Sequence, residues 1–257
     1  MSDSLLFLGT SDGRSCRRRA HSSSVLEFGG SRILLDCGEP CSRPLCDLGL
    51  MPHGIEAIFL SHLHSDHVGG LPMLIQNFWL ENRRRPLPLF MPREGIVSLR
   101  HWLHTCYLCE CMLPFRLAIR PWRFGKSLRW RGLRVLPIRN RHLAGFRKLC
   151  HCPGTYESLS FRIEAGKRSL VWSADIASPE DLAPLLDRPV DTLVCELAHF
   201  PPESLFHFLA NKTFRTLILT HFGSHVVNSL PHVRRLAAKA LPGRRILFAR
   251  DGLRVKL

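Results

Sequence analysis

Short apolar or alternating runs separated by turn residues open the chain. LLFLG, SSVLEFG closed by Gly29-Gly30, RILLDCG and IEAIFLSH each read as a β-strand. After His67 the period changes: apolar side chains recur at helical spacing over 69–79, and again over 94–107. In the middle, FRLAIRPW, SLRWRGLRVLPIRN and SLSFRIEAGKRSLVWSAD alternate apolar with polar or basic residues and place Gly at the turns. That is the pattern of half-buried antiparallel strands. In the last third DTLVCEL and TLILTH read as strands, PPESLFHFLANK and 226–241 as helices, and RILFARDGLRVKL as a closing hairpin about Asp251-Gly252. Strands and helices thus predict two halves of similar build, each a sheet with helices outside, in one layered domain over residues 1–257.

Composition sharpens this picture in two ways. With 257 residues, 45% of them hydrophobic and 22% charged, the chain has ample material for a core, which excludes intrinsic disorder. Its formal charge of +15, from 36 Lys+Arg against 21 Asp+Glu, would draw phosphates, nucleic acid or acidic lipid surfaces. An arginine-biased genome gives the same composition. The longest uncharged apolar stretch, 68–80, falls short of the roughly 18 residues of a membrane span, and the opening lacks the basic and apolar regions of a secretory signal. The expectation is a cytoplasmic protein without membrane attachment, whose ten cysteines are thiols or metal ligands.

Candidate chemistry concentrates at Ser61-His62-Leu63-His64-Ser65-Asp66-His67, which follows directly on the strand-like IEAIFL and leads into a helix. A loop in that position holds functional groups on a rigid frame. Three imidazoles and a carboxylate within six positions are unfavourable to crowd unless something offsets their burial and keeps the rings neutral, and a divalent cation does both. Nitrogen and oxygen donors of this kind suit zinc, with iron or manganese as alternatives.

His62, His64, Asp66 and His67 match the HxHxDH signature, and here the sequence resembles the metallo-β-lactamase fold superfamily. The other marks of that family follow in order: Asp36 in ILLDCG, His142 in VLPIRNRHLAG, Asp175 ending SLVWSAD and His221 ending TLILTH. The resemblance implies an α/β fold, a four-layer αββα sandwich of mixed sheets with helices outside. It further implies that His62, His64 and His142 hold one metal, that Asp66, His67 and His221 hold a second, and that Asp175 bridges them. Two such cations make hydroxide available near neutral pH and stabilise the oxygen that gains charge in the transition state. Asp36 is expected to orient a ligand imidazole from behind, a role such sites usually need.

Hydrolysis by such a centre is common to lactamases, thioesterases, lactonases and phosphodiesterases, so the centre alone does not choose a substrate. Classical zinc β-lactamases carry cysteine where this chain has Asp175, which argues against that activity. The opening LLFLGTSDG, followed by RRRAHSSSVLEFGGSRILLDCG, resembles the branch that includes ribonuclease Z and the cyclic phosphodiesterases. A tRNA-gripping arm is not expected, since only 32 residues separate His142 from Asp175. Cys195-Glu196 and then His199 stand where that branch has its HEAT-like segment, and His199 is a candidate general acid. The reading is a phosphodiesterase acting on RNA, a cyclic nucleotide or a small phosphodiester. An ester, lactone or thioester hydrolase and a basic nucleic-acid-binding module with a vestigial site are the alternatives.

Arg139 and Arg141 are candidate substrate contacts, and the basic middle of the chain, with Trp122 and Trp130, is a candidate grip for single-stranded nucleic acid or for a nucleotide. Its alternative is the solvated outer face of a strand pair. Cys106, Cys109, Cys150 and Cys152, with Cys111 and His151 beside them, have spacings able to hold a third, structural zinc. Relatives of this branch often form homodimers, though no segment of the sequence marks an interface.

Overall fold

The computed structural model describes residues 3–149 and 154–257, with the backbone alone at 147 and 148. The chain divides into two compact units, the first running to Trp122 and taking in Asp251–Lys256, the second covering Arg123–Arg250.

In the first unit the strands are β1 (Ser4–Gly9), β2 (Ser23–Phe28), β3 (Ser31–Leu35), β4 (Ala57–Phe59), β5 (Leu87–Met91) and β6 (Leu117–Pro121). Its helices are α1 (Ser42–Asp47), α2 (Ser65–Val68), α3 (Leu71–Leu80) and α4 (Ile96–Thr105). The second unit follows with β7 (Leu128–Trp130), β8 (Leu133–Arg139), α5 (Phe146–Leu149), β9 (Leu159–Ala165), β10 (Arg168–Trp172), β11 (Val190–Leu197), α6 (Pro202–Leu209), β12 (Phe214–Phe222), α7 (Ser224–Asn228), α8 (Leu230–Ala240) and β13 (Arg245–Phe248). The last strand, β14 (Arg254–Lys256), returns to the first unit.

Each unit is built on one seven-stranded mixed sheet, in the orders β14-β1-β2-β3-β4-β5-β6 and β13-β12-β11-β10-β9-β8-β7. Pairing is antiparallel from β14 through β3 and parallel from β3 to β6. In the second sheet it is antiparallel from β7 to β10 and parallel from β10 to β13. Parallel neighbours require crossovers, and helices supply most of them. Alternate strand residues Leu34, Ile58, Leu60 and Leu89 pack with Leu71, Leu74, Ile75 and Phe78 of α3, whose three- and four-residue spacing puts them on one helix face. Leu193, Cys195, Leu217 and Leu219 do the same with Leu205, Phe206 and Leu209 of α6 and with Val233 and Ala237 of α8.

Three expectations are corrected. RILFARDGLRVKL is not a hairpin: β13 pairs in parallel with β12, and β14 pairs antiparallel with β1. The turn between them is held elsewhere, because the Asp251 carboxylate accepts from Thr10 Oγ1 at 2.7 Å and from the Ala20 amide at 2.6 Å. Within FRLAIRPW, β6 joins β5 in parallel rather than antiparallel fashion. The helical stretch 226–241 breaks at Ser229, whose φ of −120° and ψ of 20° leave the helix, and Pro231, which has no N–H to bond back to α7, sits in the first turn of α8 where no donor is needed.

Candidate functional site

Apart from His142, which lies past the antiparallel strand β8, the histidine and aspartate candidates sit at or just past the carboxyl ends of strands with a parallel neighbour, where open α/β sheets present ligand sites. In the first unit Asp36 follows β3, and the Ser61–His67 loop follows β4 and enters α2. That loop passes the β3 end closely: a Cβ on Gly38 would lie 2.3 Å from the Asp66 carbonyl oxygen, so only glycine fits there. The His62 ring centroid is 4.8 Å from that of His64 and 4.1 Å from that of His67, and His67 Nε2 is 3.5 Å from Asp66 Oδ2.

Buried Asp36 organises this set. Its Oδ1 accepts from the Ser61 amide at 2.7 Å, and its Oδ2 accepts from Ser61 Oγ at 3.0 Å and lies 2.9 Å from His67 Nδ1. A carboxylate only accepts, so His67 carries its proton on Nδ1 and turns a bare Nε2 toward Asp66. Ser61 Oγ has spent its proton on Asp36 and can only accept from His62 Nδ1, 3.0 Å away, which leaves the His62 Nε2 lone pair bare as well. One carboxylate thus sets the tautomer of two imidazoles. Ser61 was not singled out in the sequence; its position directly before the first histidine is the only signal that could have found it.

In the second unit His142 follows β8, Asp175 follows β10, His199 follows β11, and His221 lies near the end of β12. His142 Nε2, His199 Nε2 and His221 Nε2 lie 3.7, 3.9 and 3.2 Å from Asp175 Oδ2. His199 is held by Glu196, whose Oε1 is 2.8 Å from His199 Nδ1 while the same carboxylate accepts from the Ile176 and Ala198 amides. Glu196 does for His199 what Asp36 does for His67, and a carboxylate three residues before a histidine was its trace in the sequence. Asp36 and His221, with φ of 57° and 50°, and Ala174 directly before Asp175, with φ of 48°, hold left-handed backbone at a cost of roughly 1 kcal/mol each.

The donor set fits a divalent cation. Two ligands bound at 2.0–2.2 Å with near-tetrahedral angles stand about 3.3–3.6 Å apart. The Asp66–His67 separation of 3.5 Å has that spacing, and the Asp175–His221 separation of 3.2 Å falls just below it. All these donors are nitrogen or oxygen. Burial, the Cys41 thiol and the Asp36 charge push the Cys37 thiol up, and burial with the Glu196 charge pushes Cys195 up; neither cysteine belongs to a group of metal-type donors among the described residues.

Arg139 and Arg141 are already engaged within the second unit. Arg139 Nη2 lies 3.5 Å from Glu157 Oε1, and Arg141 donates to Asp181 Oδ1 at 2.6 Å and to Ser178 Oγ at 2.8 Å. Arg131 lies over the Trp130 ring, while Arg123, Lys126 and Arg129 are exposed. Cys150, His151 and Cys152 lie outside the described residues. Among the described residues, no group of three or more metal-type donors includes Cys106, Cys109 or Cys111. No helix of the described residues is long and apolar enough to cross a membrane.

Two mixed α/β sheets with histidines and aspartates at their strand ends define a protein of the metallo-β-lactamase fold. A metallo-β-lactamase fold protein, YhfI from Bacillus subtilis, is similar over 99% of both chains with a TM-score of 0.75 and 18% identity. Human tRNase Z, short form, is similar over 98% of both chains with a TM-score of 0.73 and 22% identity. More particularly, the chain belongs to the family described as Anti-Pycsar protein Apyc1, which matches residues 4–225. Among curated relatives, ribonuclease Z from Methanococcus maripaludis is 39% identical over 103 residues, 40% of this chain and 33% of that protein. The matched segment thus spans about a third of that relative's length.

Proposed function

We propose that the protein is a metal-dependent hydrolase of phosphodiesters, in which His62, His64, Asp66, His67, His142, Asp175 and His221 hold two divalent cations. Zinc suits the nitrogen and oxygen donors, with manganese or iron as alternatives. The observation that carries this reading is the disposition of the imidazoles. His67 turns Nδ1 to Asp36 and Nε2 to Asp66, His62 turns Nδ1 to Ser61, and His142 and His221 bring Nε2 to 3.7 and 3.2 Å from Asp175. The cations, when bound, supply Lewis acidity and a nucleophile at neutral pH.

The protein's own groups do the rest. Asp36 and Ser61 keep His62 and His67 in the ligand tautomer. Glu196 holds the proton of His199 on Nδ1 in the neutral ring and stabilises the imidazolium, so that a proton at His199 Nε2 can pass to the departing oxygen. A carboxylate at 175 rather than a thiol, the charge of +15 and a relative named for acting on RNA favour phosphorus over acyl carbon. The expected substrate is anionic, a single-stranded nucleic acid or a nucleotide.

Hydrolysis of an activated phosphodiester by zinc- or manganese-loaded protein, beside a lactone and a thioester, tests this. Preference for the phosphodiester, lost in Asp66→Ala, is expected. Preference for an acyl substrate would assign the centre to the second enzyme class, and no turnover of any of the three would leave a binding module.

A further inference from the structure

The second unit carries its donors at one end of its sheet and a row of basic residues at the other. Register fixes the two ends. Arg139, Leu159 and Trp172 lie toward His142 and Asp175, whereas Leu133, Ala165 and Arg168 stand in register at the far end, where the parallel strands β11, β12 and β13 begin. The chain reverses at that far end through two tight turns, Arg131-Gly132 between β7 and β8 and Gly166-Lys167 between β9 and β10. Arg131 and Gly132 have φ of 44° and 84°, the pair of a two-residue hairpin turn whose ordinary first residue is asparagine or glycine. An arginine there holds backbone it disfavours, at an exposed corner.

The exposed cations of this end are Arg131, Lys167, Arg168, Arg188, Arg215 and Arg245. The carboxylates beside them are Glu164, Asp187 and Asp191. Glu164 is shared by Arg134, Arg162 and Arg188 at 3.3, 2.9 and 2.8 Å, and Asp191 lies 3.8 Å from Arg215. Exposed cations thus outnumber carboxylates two to one here, whereas Arg139 and Arg141 at the donor end each face a carboxylate.

We propose that this far end of the sheet is a second binding surface, for the sugar-phosphate backbone of a nucleic-acid double helix. It lies roughly 20 Å from the donors, along the seven residues of β8, and it stands whatever those donors hydrolyse. From β8 to β13 the row crosses five strand intervals, or roughly 24 Å, which is about seven steps of a double helix at ~3.4 Å each. All but Lys167 are arginines, whose planar fork matches phosphate oxygens. The side chains available decide between partners. Among the described residues, no exposed large apolar side chain lies at this end, and Trp130 is half-buried with Arg131 over its ring. The surface therefore offers neither an anchor for a lipid layer nor a platform for unpaired bases, and phosphates are what it can grip.

Fluorescence anisotropy of a labelled DNA duplex of about 20 base pairs with the metal-loaded protein, at about 50–200 mM salt, tests this. Binding is expected to weaken with a log–log slope of about −4 to −5, as for roughly five neutralised phosphates. Lys167→Gln with Arg168→Gln should weaken binding about tenfold and make the slope shallower by about 2. Arg84→Gln with Arg85→Gln removes the same charge from exposed positions of the first unit and should change affinity less than about twofold. Circular dichroism verifies the fold of both. Equal losses in the two double variants, or no duplex binding at the lowest salt, would overturn the assignment. So would tighter binding to a single strand of the same length, or binding to phosphatidylserine vesicles with none to the duplex.

Discussion

Replacing Asp36 by asparagine changes one oxygen to an amide nitrogen and should disable two imidazoles at once. In the wild type three donors converge on the carboxylate: the Ser61 amide on Oδ1, and Ser61 Oγ with His67 Nδ1 on Oδ2. If the asparagine carbonyl keeps the Ser61 amide, its NH2 faces His67 Nδ1 and Ser61 Oγ. His67 must then accept at Nδ1, which moves its proton to Nε2, the nitrogen needed for a cation. Ser61 Oγ, now accepting from the amide, turns its own proton to His62 Nδ1 with the same result. Losing a single outer hydrogen-bond partner typically weakens a metal about 10–100-fold, or ~1.4–2.7 kcal/mol. With two imidazoles affected, Asp36→Asn should lose roughly 10²–10⁴ in zinc affinity. Ser61→Ala, which cuts only the His62 branch, should lose about tenfold. Competition against a chelating indicator measures both, with circular dichroism to show an intact fold. Zinc affinity of Asp36→Asn within twofold of wild type would refute the tautomer argument.

Glu196→Gln should slow substrates with an alkoxide leaving group by about 10²–10³ while sparing a nitrophenyl leaving group, which departs without a proton; kcat on the two substrates checks it. Burial raises the Glu27 carboxyl, but hydrogen bonds from Ser4 and Arg32 and the charges of Arg32 and Arg254 outweigh it and hold the group below its ordinary value. Stability from the ionised form is therefore present above the ordinary carboxylate range and lost as pH falls through the lowered value. The Tm gap between wild type and Glu27→Gln should be open at neutral pH and closed in acid; a gap constant with pH would contradict this. Arg83, fully buried over Phe78 and Phe115, donates to the carbonyls of Pro52, Arg85 and Pro86. Arg83→Met strands those three acceptors and should lower unfolding free energy by ~3 kcal/mol or more, read from denaturant melts.

The candidate donors were legible as a group because they are crowded: an HxHxDH run has few structural uses, and each later candidate lies at or shortly past the end of a strand-like segment. Their supports were not legible in the same way. Ser61 is one serine among many, and its part emerges only when Asp36 Oδ2 takes its proton. The β7–β8 and β9–β10 pairs followed from alternation and turn glycines. The last two strands did not, because Asp251-Gly252 reads locally as a hairpin turn, and Thr10 and Ala20, some 230–240 residues earlier, determine where the turn goes. Parallel or antiparallel pairing of β6 is likewise decided by its neighbour β5 and not by its own pattern. Arg139 and Arg141 looked available for phosphate in the sequence, and their carboxylate partners lie 18 and 40 residues away.

The most direct test of a two-cation hydrolase is the metal content of purified, zinc-loaded protein, wild type against Asp66→Ala, by plasma mass spectrometry with activity measured on the same samples. Two equivalents in the wild type, and about one in Asp66→Ala with hydrolysis abolished and the fold intact, is the expected result. Equal metal content and equal turnover in the two proteins would contradict it.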